Sequence, residues 1–129
     1  VLTPHPGEWT RLAPAVAPEP EALHRAFQGI FPEPALRTLV FKSIPIRIFS
    51  RQMHCINTVG GPVLARGGSG DVLAGLIGGL WSQQKSLDGF IEACQAVYWQ
   101  SKTADYLAQT AHPRTLFALH LLSSLGKVL

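Results

Sequence analysis

Gly67-Gly68-Ser69-Gly70-Asp71 runs directly into an apolar stretch, Val72-Leu73-Ala74-Gly75-Leu76-Ile77-Gly78-Gly79-Leu80-Trp81. The glycines permit a tight turn that a side chain would block. Ser69 is a favourable N-cap. Val72, Leu73, Leu76, Ile77 and Leu80 recur at helical spacing, which predicts a helix through Trp81. Its first turn presents unpaired backbone N–H groups, a ready seat for a phosphate, so Gly68, Ser69, Gly70 and Asp71 form a candidate anion hole. The carboxylate of Asp71 is an odd neighbour for simple phosphate binding. It makes sense where the carboxylate takes a proton from a hydroxyl while the amides steady the charge on a transferring phosphoryl group. The plainer reading is a glycine turn capped by Ser69, with Asp71 complementing the helix dipole. Gly75, Gly78 and Gly79 argue for more than a turn. Each costs about 1 kcal/mol against alanine inside a helix, which points to a backbone or ligand approaching closely.

The chain has 129 residues, enough for one domain with its own core. At 47% hydrophobic and 15% charged it reads as folded rather than disordered. A net charge of +3 suits an anionic small molecule but is too weak to argue for nucleic acid. Arg37, Lys42, Arg47 and Arg51 alternate with apolar residues, as strand side chains facing solvent do. Cys55 and Cys94 are far apart in sequence and lack metal-ligand spacing, so a reduced, cytoplasmic protein is expected. No metal site is read from the residues. Neither a charged-then-apolar leader nor a membrane-length apolar run is visible, so no membrane partner is expected.

Outward from the glycine loop, the pattern is strands first and helices after. Val1–Thr3 reads as the end of a buried strand stopped by Pro4, with the expectation that an upstream segment or another chain completes its sheet. A brief helix is predicted to Leu12, a proline-rich loop from Ala13 to Pro20, and an amphipathic helix over 21–30 with Leu23, Ala26, Phe27 and Ile30 on one face. Leu39-Val40-Phe41 reads as a strand covered on both faces. Pro45 interrupts the next run and pushes it toward a sheet edge or a break. Residues 46–50 and 52–56 are predicted as short strands joined by a turn. Leu87 to Ala108 and Thr115 to Leu125 are predicted helices, the latter with Leu116, Leu119 and Leu122 facing in. The result is an α/β domain with its site at the strand ends, where helix N-termini converge.

A second unusual segment is Thr3-Pro4-His5-Pro6-Gly7-Glu8. Pro4 and Pro6 fix φ on both sides of His5, which is thereby placed to meet a ligand or simply to hydrogen-bond within the turn. Glu8 suits either a ribose hydroxyl or a helix cap.

Together, the His5 segment and Gly67-Gly68-Ser69-Gly70-Asp71-Val72-Leu73-Ala74-Gly75 resemble the ADP/ATP-dependent NAD(P)H-hydrate dehydratase family, within the ribokinase-like superfamily. The resemblance covers most of the chain but only about the second half of a typical family domain. It implies a ribokinase-like layered α/β fold. It implies Asp71 as base and substrate contact, His5 as substrate-binding, and Gly70 as a nucleotide contact. Lys42-Ser43-Ile44-Pro45-Ile46 matches the family's nucleotide-binding segment, which usually runs lysine-glycine, two variable residues, threonine. Ser43 brings a side chain where phosphate or ribose comes close, and Ile46 cannot donate a hydrogen bond. Gln100-Ser101 stands where histidine-glycine is frequent, and Arg66 where threonine is common.

The implied reaction is dehydration of hydrated NADH or NADPH. ADP or ATP, carrying Mg²⁺, phosphorylates the ring hydroxyl, and phosphate then leaves. The resemblance also implies an adenine nucleotide partner and a homo-oligomer. Two other readings stay open: a ribokinase-like kinase that phosphorylates a small alcohol, and a degenerate nucleotide-binding module without catalysis.

Overall fold

The computed structural model describes residues 1–16, 19–30, 38–84, 88–112 and 115–128. Its helices are α1 (Pro6–Leu12), α2 (Pro20–Ile30), α3 (Ser69–Ser82), α4 (Phe90–Thr110) and α5 (Ala118–Ser124). Its strands are β1 (Leu39–Phe41), β2 (Ile46–Phe49) and β3 (His54–Asn57). Short 3₁₀ turns occupy Pro62–Leu64 and Leu125–Lys127. The strands form an antiparallel sheet in the order β1-β2-β3. The first residues extend it. Leu2 pairs in parallel with Leu39, its amide donating to the Thr38 carbonyl at 2.9 Å and its carbonyl accepting from Val40 at 2.7 Å.

Alternation along the strands builds a core on each face. Leu39, Phe41 and Phe49 point to one side and pack with Trp9 of α1 and Leu23 and Phe27 of α2. Val40 and Ile48 point to the other and pack with Leu73 and Ile77 of α3 and Phe90, Ala93 and Val97 of α4. Burying each such large apolar side chain is worth roughly 1.5–3 kcal/mol. The three residues of β1 are all buried, as their unbroken apolar run predicts. A third cluster joins Val63, Ala104 and Leu107 to Leu116 and Leu121.

Several expectations need correction. Of the two outcomes expected at Pro45, a sheet edge and a break, the break is the one found, in the turn between β1 and β2. It sits one position before β2, where no ladder donor is required, and β2 is the middle strand. The last helix starts at Ala118 rather than Thr115, which shifts its phase. Leu121, Ser124 and Leu125 face in, while Leu119 and Leu122 are exposed at 75% and 56%. Gly75, Gly78 and Gly79 face open space among the described residues, with nothing within 4 Å of an added Cβ. Cys55 and Cys94, remote in sequence, lie against each other. The expectations for Arg37 and Leu87 fall outside the described residues, and the Ile30 side chain is likewise not described. No described helix is long and apolar enough to cross a membrane.

Candidate active site

Ser69 is not the cap of α3. Gly68 takes that position with φ +86, the left-handed region that a side chain resists, and its missing Cβ would stand 3.0 Å from that of Ala118. Ser69 becomes the first helical residue, and its hydroxyl donates backward to the Leu64 carbonyl at 2.6 Å. The loop is thus tied to the 3₁₀ turn before it. It is tied from the other side by Gln100 of α4, whose side-chain amide donates to the Ser69 carbonyl at 2.7 Å.

The amides divide into two pairs. That of Ser69 donates to the Arg66 carbonyl and that of Asp71 to the Gly68 carbonyl, each at 3.1 Å. Those of Gly68 and Gly70 make no hydrogen bond among the described residues. The candidate anion hole is therefore narrower than the four amides expected. The Asp71 side chain is exposed and makes no hydrogen bond or ion pair among the described residues. It stands at the edge of an open groove of about 560 Å³, walled by Gly75, Leu76, Gly79, Trp99 and Leu122.

His5 caps α1. Its Nδ1 accepts from the Glu8 amide at 3.2 Å, while Glu8 Oε2 accepts from the His5 amide at 2.7 Å. This reciprocal capping box, with Pro6 at the first helical position, explains the rigid turn. The helix-capping role of Glu8 is therefore the observed one, and the imidazole remains half exposed beside the Glu8 carboxylate at 3.4 Å. The hydrogen bond from the His5 backbone is the largest cause holding the Glu8 carboxyl below its usual range, and the nearby positive charge of Lys42 adds to it.

Lys42 links the two segments. The parallel pairing of Leu2 with Leu39 continues to the Lys42 amide, which donates to the Pro4 carbonyl at 2.9 Å. His5 and Lys42 therefore leave adjacent strand ends together. The Lys42 ammonium lies 3.5 Å from Glu8 Oε2 and 3.2 Å from where a Cβ on Gly70 would stand. The structure thus gathers His5, Glu8, Lys42 and Gly70, with Asp71 the next residue along. No hydrogen bond or ion pair joins His5 to Asp71 among the described residues.

Ser43–Ile46 form the turn after Lys42. The Ser43 hydroxyl donates to the Pro45 carbonyl at 2.7 Å, Ile44 is fully exposed, and Ile46 opens β2 opposite Asn57. Arg47 is not a solvent-facing strand cation. It is partly buried, and its guanidinium donates to the Ser43 hydroxyl at 3.3 Å and reaches the Pro45 carbonyl at 3.5 Å. Arg47 and Gln100 are site residues that sequence reasoning missed. Alternation cannot reveal an arginine folded along its own strand, and the contact of Gln100 with Ser69 is purely tertiary.

Chemically, the arrangement offers an ammonium and two unpaired amides for an anion, and a free carboxylate as proton acceptor beside them. Among the described residues no three His, Cys, Asp or Glu side chains group closely enough to cage a metal ion.

A family model described as NAD(P)H-hydrate dehydratase matches residues 1–127. The bifunctional NAD(P)H-hydrate repair enzyme of Gloeobacter violaceus is 39% identical over 112 residues, covering 84% of this chain and 20% of that protein. The crystal structure of the ADP/ATP-dependent NAD(P)H-hydrate dehydratase from Bacillus subtilis, co-crystallised with ATP and Mg²⁺, matches with a TM-score of 0.82 at 26% identity, covering 99% of this chain and 46% of that one. A ribokinase-like superfamily protein from Enterococcus faecalis matches with a TM-score of 0.71 at 31% identity, covering 99% of this chain and 44% of that one. The architecture is thus the ribokinase-like α/β fold, and the chain spans less than half the length of each of these relatives.

Proposed function

This chain belongs to the NAD(P)H-hydrate dehydratase family, and we propose that it carries the acid–base half of a nucleotide-dependent dehydratase that returns hydrated NADH or NADPH to the normal cofactor. The observation that carries this reading is the position of Lys42, between Glu8 of the His5 turn and Gly70 of the α3 N-terminus, with the unpaired carboxylate of Asp71 alongside. A cation, free amides and a free base held together suit phosphoryl transfer to a hydroxyl.

In the proposed reaction, ADP or ATP supplies the phosphoryl group. Asp71 accepts the proton of the ring hydroxyl as its oxygen bonds to phosphorus, and the nucleotide leaves one phosphate shorter. The Gly68 and Gly70 amides and Lys42 steady the charge on the transferring group. The carbon–oxygen bond then breaks, phosphate departs with the electron pair, and loss of a ring proton restores the double bond. His5 lies beside the substrate, and the turn from Ser43 to Ile46, with Arg47, borders the nucleotide. The residues fit a nucleotide that brings Mg²⁺ on its own phosphates, since the described residues supply anion-binding groups and no three-ligand cage. The rest of the dinucleotide contacts are proposed to come from residues outside this chain, on a preceding segment or a second chain, in a homo-oligomer.

The test is recovery of NADH absorbance from hydrated NADH in the presence of ADP or ATP, using the intact protein that carries this sequence. The expected result is NADH and inorganic phosphate, with turnover lowered about 10²–10⁴-fold in Asp71→Asn. Full activity in that variant would remove Asp71 as base. A stable phosphate ester as product would instead identify a kinase.

A further inference from the structure

We propose that Cys55 of β3 and Cys94 of α4 form a redox-active dithiol that closes into a disulfide on meeting a low-molecular-weight disulfide such as oxidised glutathione. The pair is made by the fold alone, because β3 and α4 meet so that both cysteines pack on the same core and line the same groove. Both are free and only partly buried, and both rest on the core between sheet and helices. Thiols sealed in an apolar interior are inert. These two instead share the wall of an open groove of about 410 Å³, bordered by Ile56, Val59, Gln95 and Tyr98. A small disulfide can therefore reach both from the one groove.

The order of attack follows from their surroundings. Burial, with Cys55 beside it, pushes the Cys94 thiol up to about 12, so Cys94 stays protonated near neutrality. Cys55 is then the first attacker. Its thiolate bonds to one sulfur of oxidised glutathione, and the other half leaves as glutathione thiolate. With Cys55 held as a mixed disulfide, a Cys55 thiolate no longer stands against ionisation of Cys94. Cys94 loses its proton to solvent and attacks the Cys55 sulfur, and the second glutathione thiolate departs. Overall the protein gives up two electrons and two protons, and one oxidised glutathione becomes two reduced ones.

The bond would close a seam that already carries one tie, the Asn57 side-chain amide donating to the Ser101 hydroxyl at 3.0 Å between the same strand and helix.

The experiment exposes the whole protein to oxidised glutathione, then counts free thiols by maleimide labelling and measures intact mass without reductant. Both thiols are expected to disappear together, with a mass lower by two hydrogens and no glutathione retained, and dithiothreitol is expected to restore both. Cys94→Ser, or Cys94→Ala should the serine variant fail to fold, is expected to trap one glutathione on Cys55. Retention of both thiols by the wild type, glutathione on both cysteines, or a covalent dimer as the oxidised species would each overturn the proposal. The wild-type result decides the matter even without either variant.

Discussion

The side-chain amide of Gln100 donates to the main-chain carbonyl of Ser69 at 2.7 Å, across the gap between α4 and the first turn of α3. Gln100 is almost wholly buried, at 3% exposure. It holds the helix entrance through a carbonyl and not through one of the unpaired amides. Gln100→Leu should cost about 1 kcal/mol of stability, since one buried hydrogen bond is lost. Denaturant titration checks the stability. Turnover should fall more than the nucleotide KM rises, because the amides of the loop lose their alignment.

Gly68 and Gly70 should respond differently to alanine. At Gly68 the backbone is left-handed and the new methyl would press on Ala118. Gly68→Ala should therefore lose about 1–2 kcal/mol. At Gly70 the obstacle is only the end of the flexible Lys42 chain. Gly70→Ala should keep nearly full stability and bind ADP or ATP more weakly. Thermal unfolding and calorimetry on both variants separate the two effects.

Lys42→Met removes the cation between Glu8 and α3. The Lys42–Glu8 pair is partly exposed at 3.5 Å, so its stability contribution should be within about 0–1 kcal/mol. The Glu8 carboxyl should move back up toward its usual range, with the capping hydrogen bond from His5 still holding it down. Nucleotide binding, followed by calorimetry, should drop far more than the unfolding midpoint.

His54 stacks on Phe49 with ring centres 4.4 Å apart, and His24 lies over the same ring at 5.6 Å. Burial, then Arg47 and His24, push the His54 imidazole below its usual value of 6.5, with Glu21 opposing. Its neutral form therefore favours the folded state. That contribution is fully present above 6.5 and is lost as pH falls through the folded value. Unfolding measured from about pH 8 to about pH 5 should show this loss, and His54→Gln should flatten it. The Glu8 contribution fades in a separate, lower window, as pH falls from 4.5 through its depressed folded value.

Much of this architecture is legible before any coordinates. Leu39-Val40-Phe41 is short, apolar and β-prone, and it becomes a strand buried on both faces because sheets covered twice need such runs. The α3 pattern is equally plain, with Leu73 and Ile77 reaching the core. The cap was harder. Gly67, Gly68 and Ser69 each suit a helix entrance, and only the packing against Ala118 and Leu64 selects Gly68. Spacing groups Leu119 and Leu122 with Leu116, but Leu116 lies before α5, and the buried face of that helix is set by Leu121 and Ser124 instead. The Lys42–Glu8 contact and the meeting of Cys55 with Cys94 join distant parts of the chain. No local pattern encodes them.

The parallel pairing of Leu2 with Leu39 brings His5 beside Lys42 across the whole of α1 and α2. Glu8 then touches both side chains, 3.4 Å from the His5 imidazole and 3.5 Å from the Lys42 ammonium. Their proximity is a product of long-range closure, which forms only after the intervening loop entropy has been overcome. Local peeling of that edge should part the His5 turn from Lys42 while leaving α3 and α4 packed, so competence and global foldedness are separable here. Exchange of the Leu2 and Lys42 amides with deuterated water reports how often the seat comes apart.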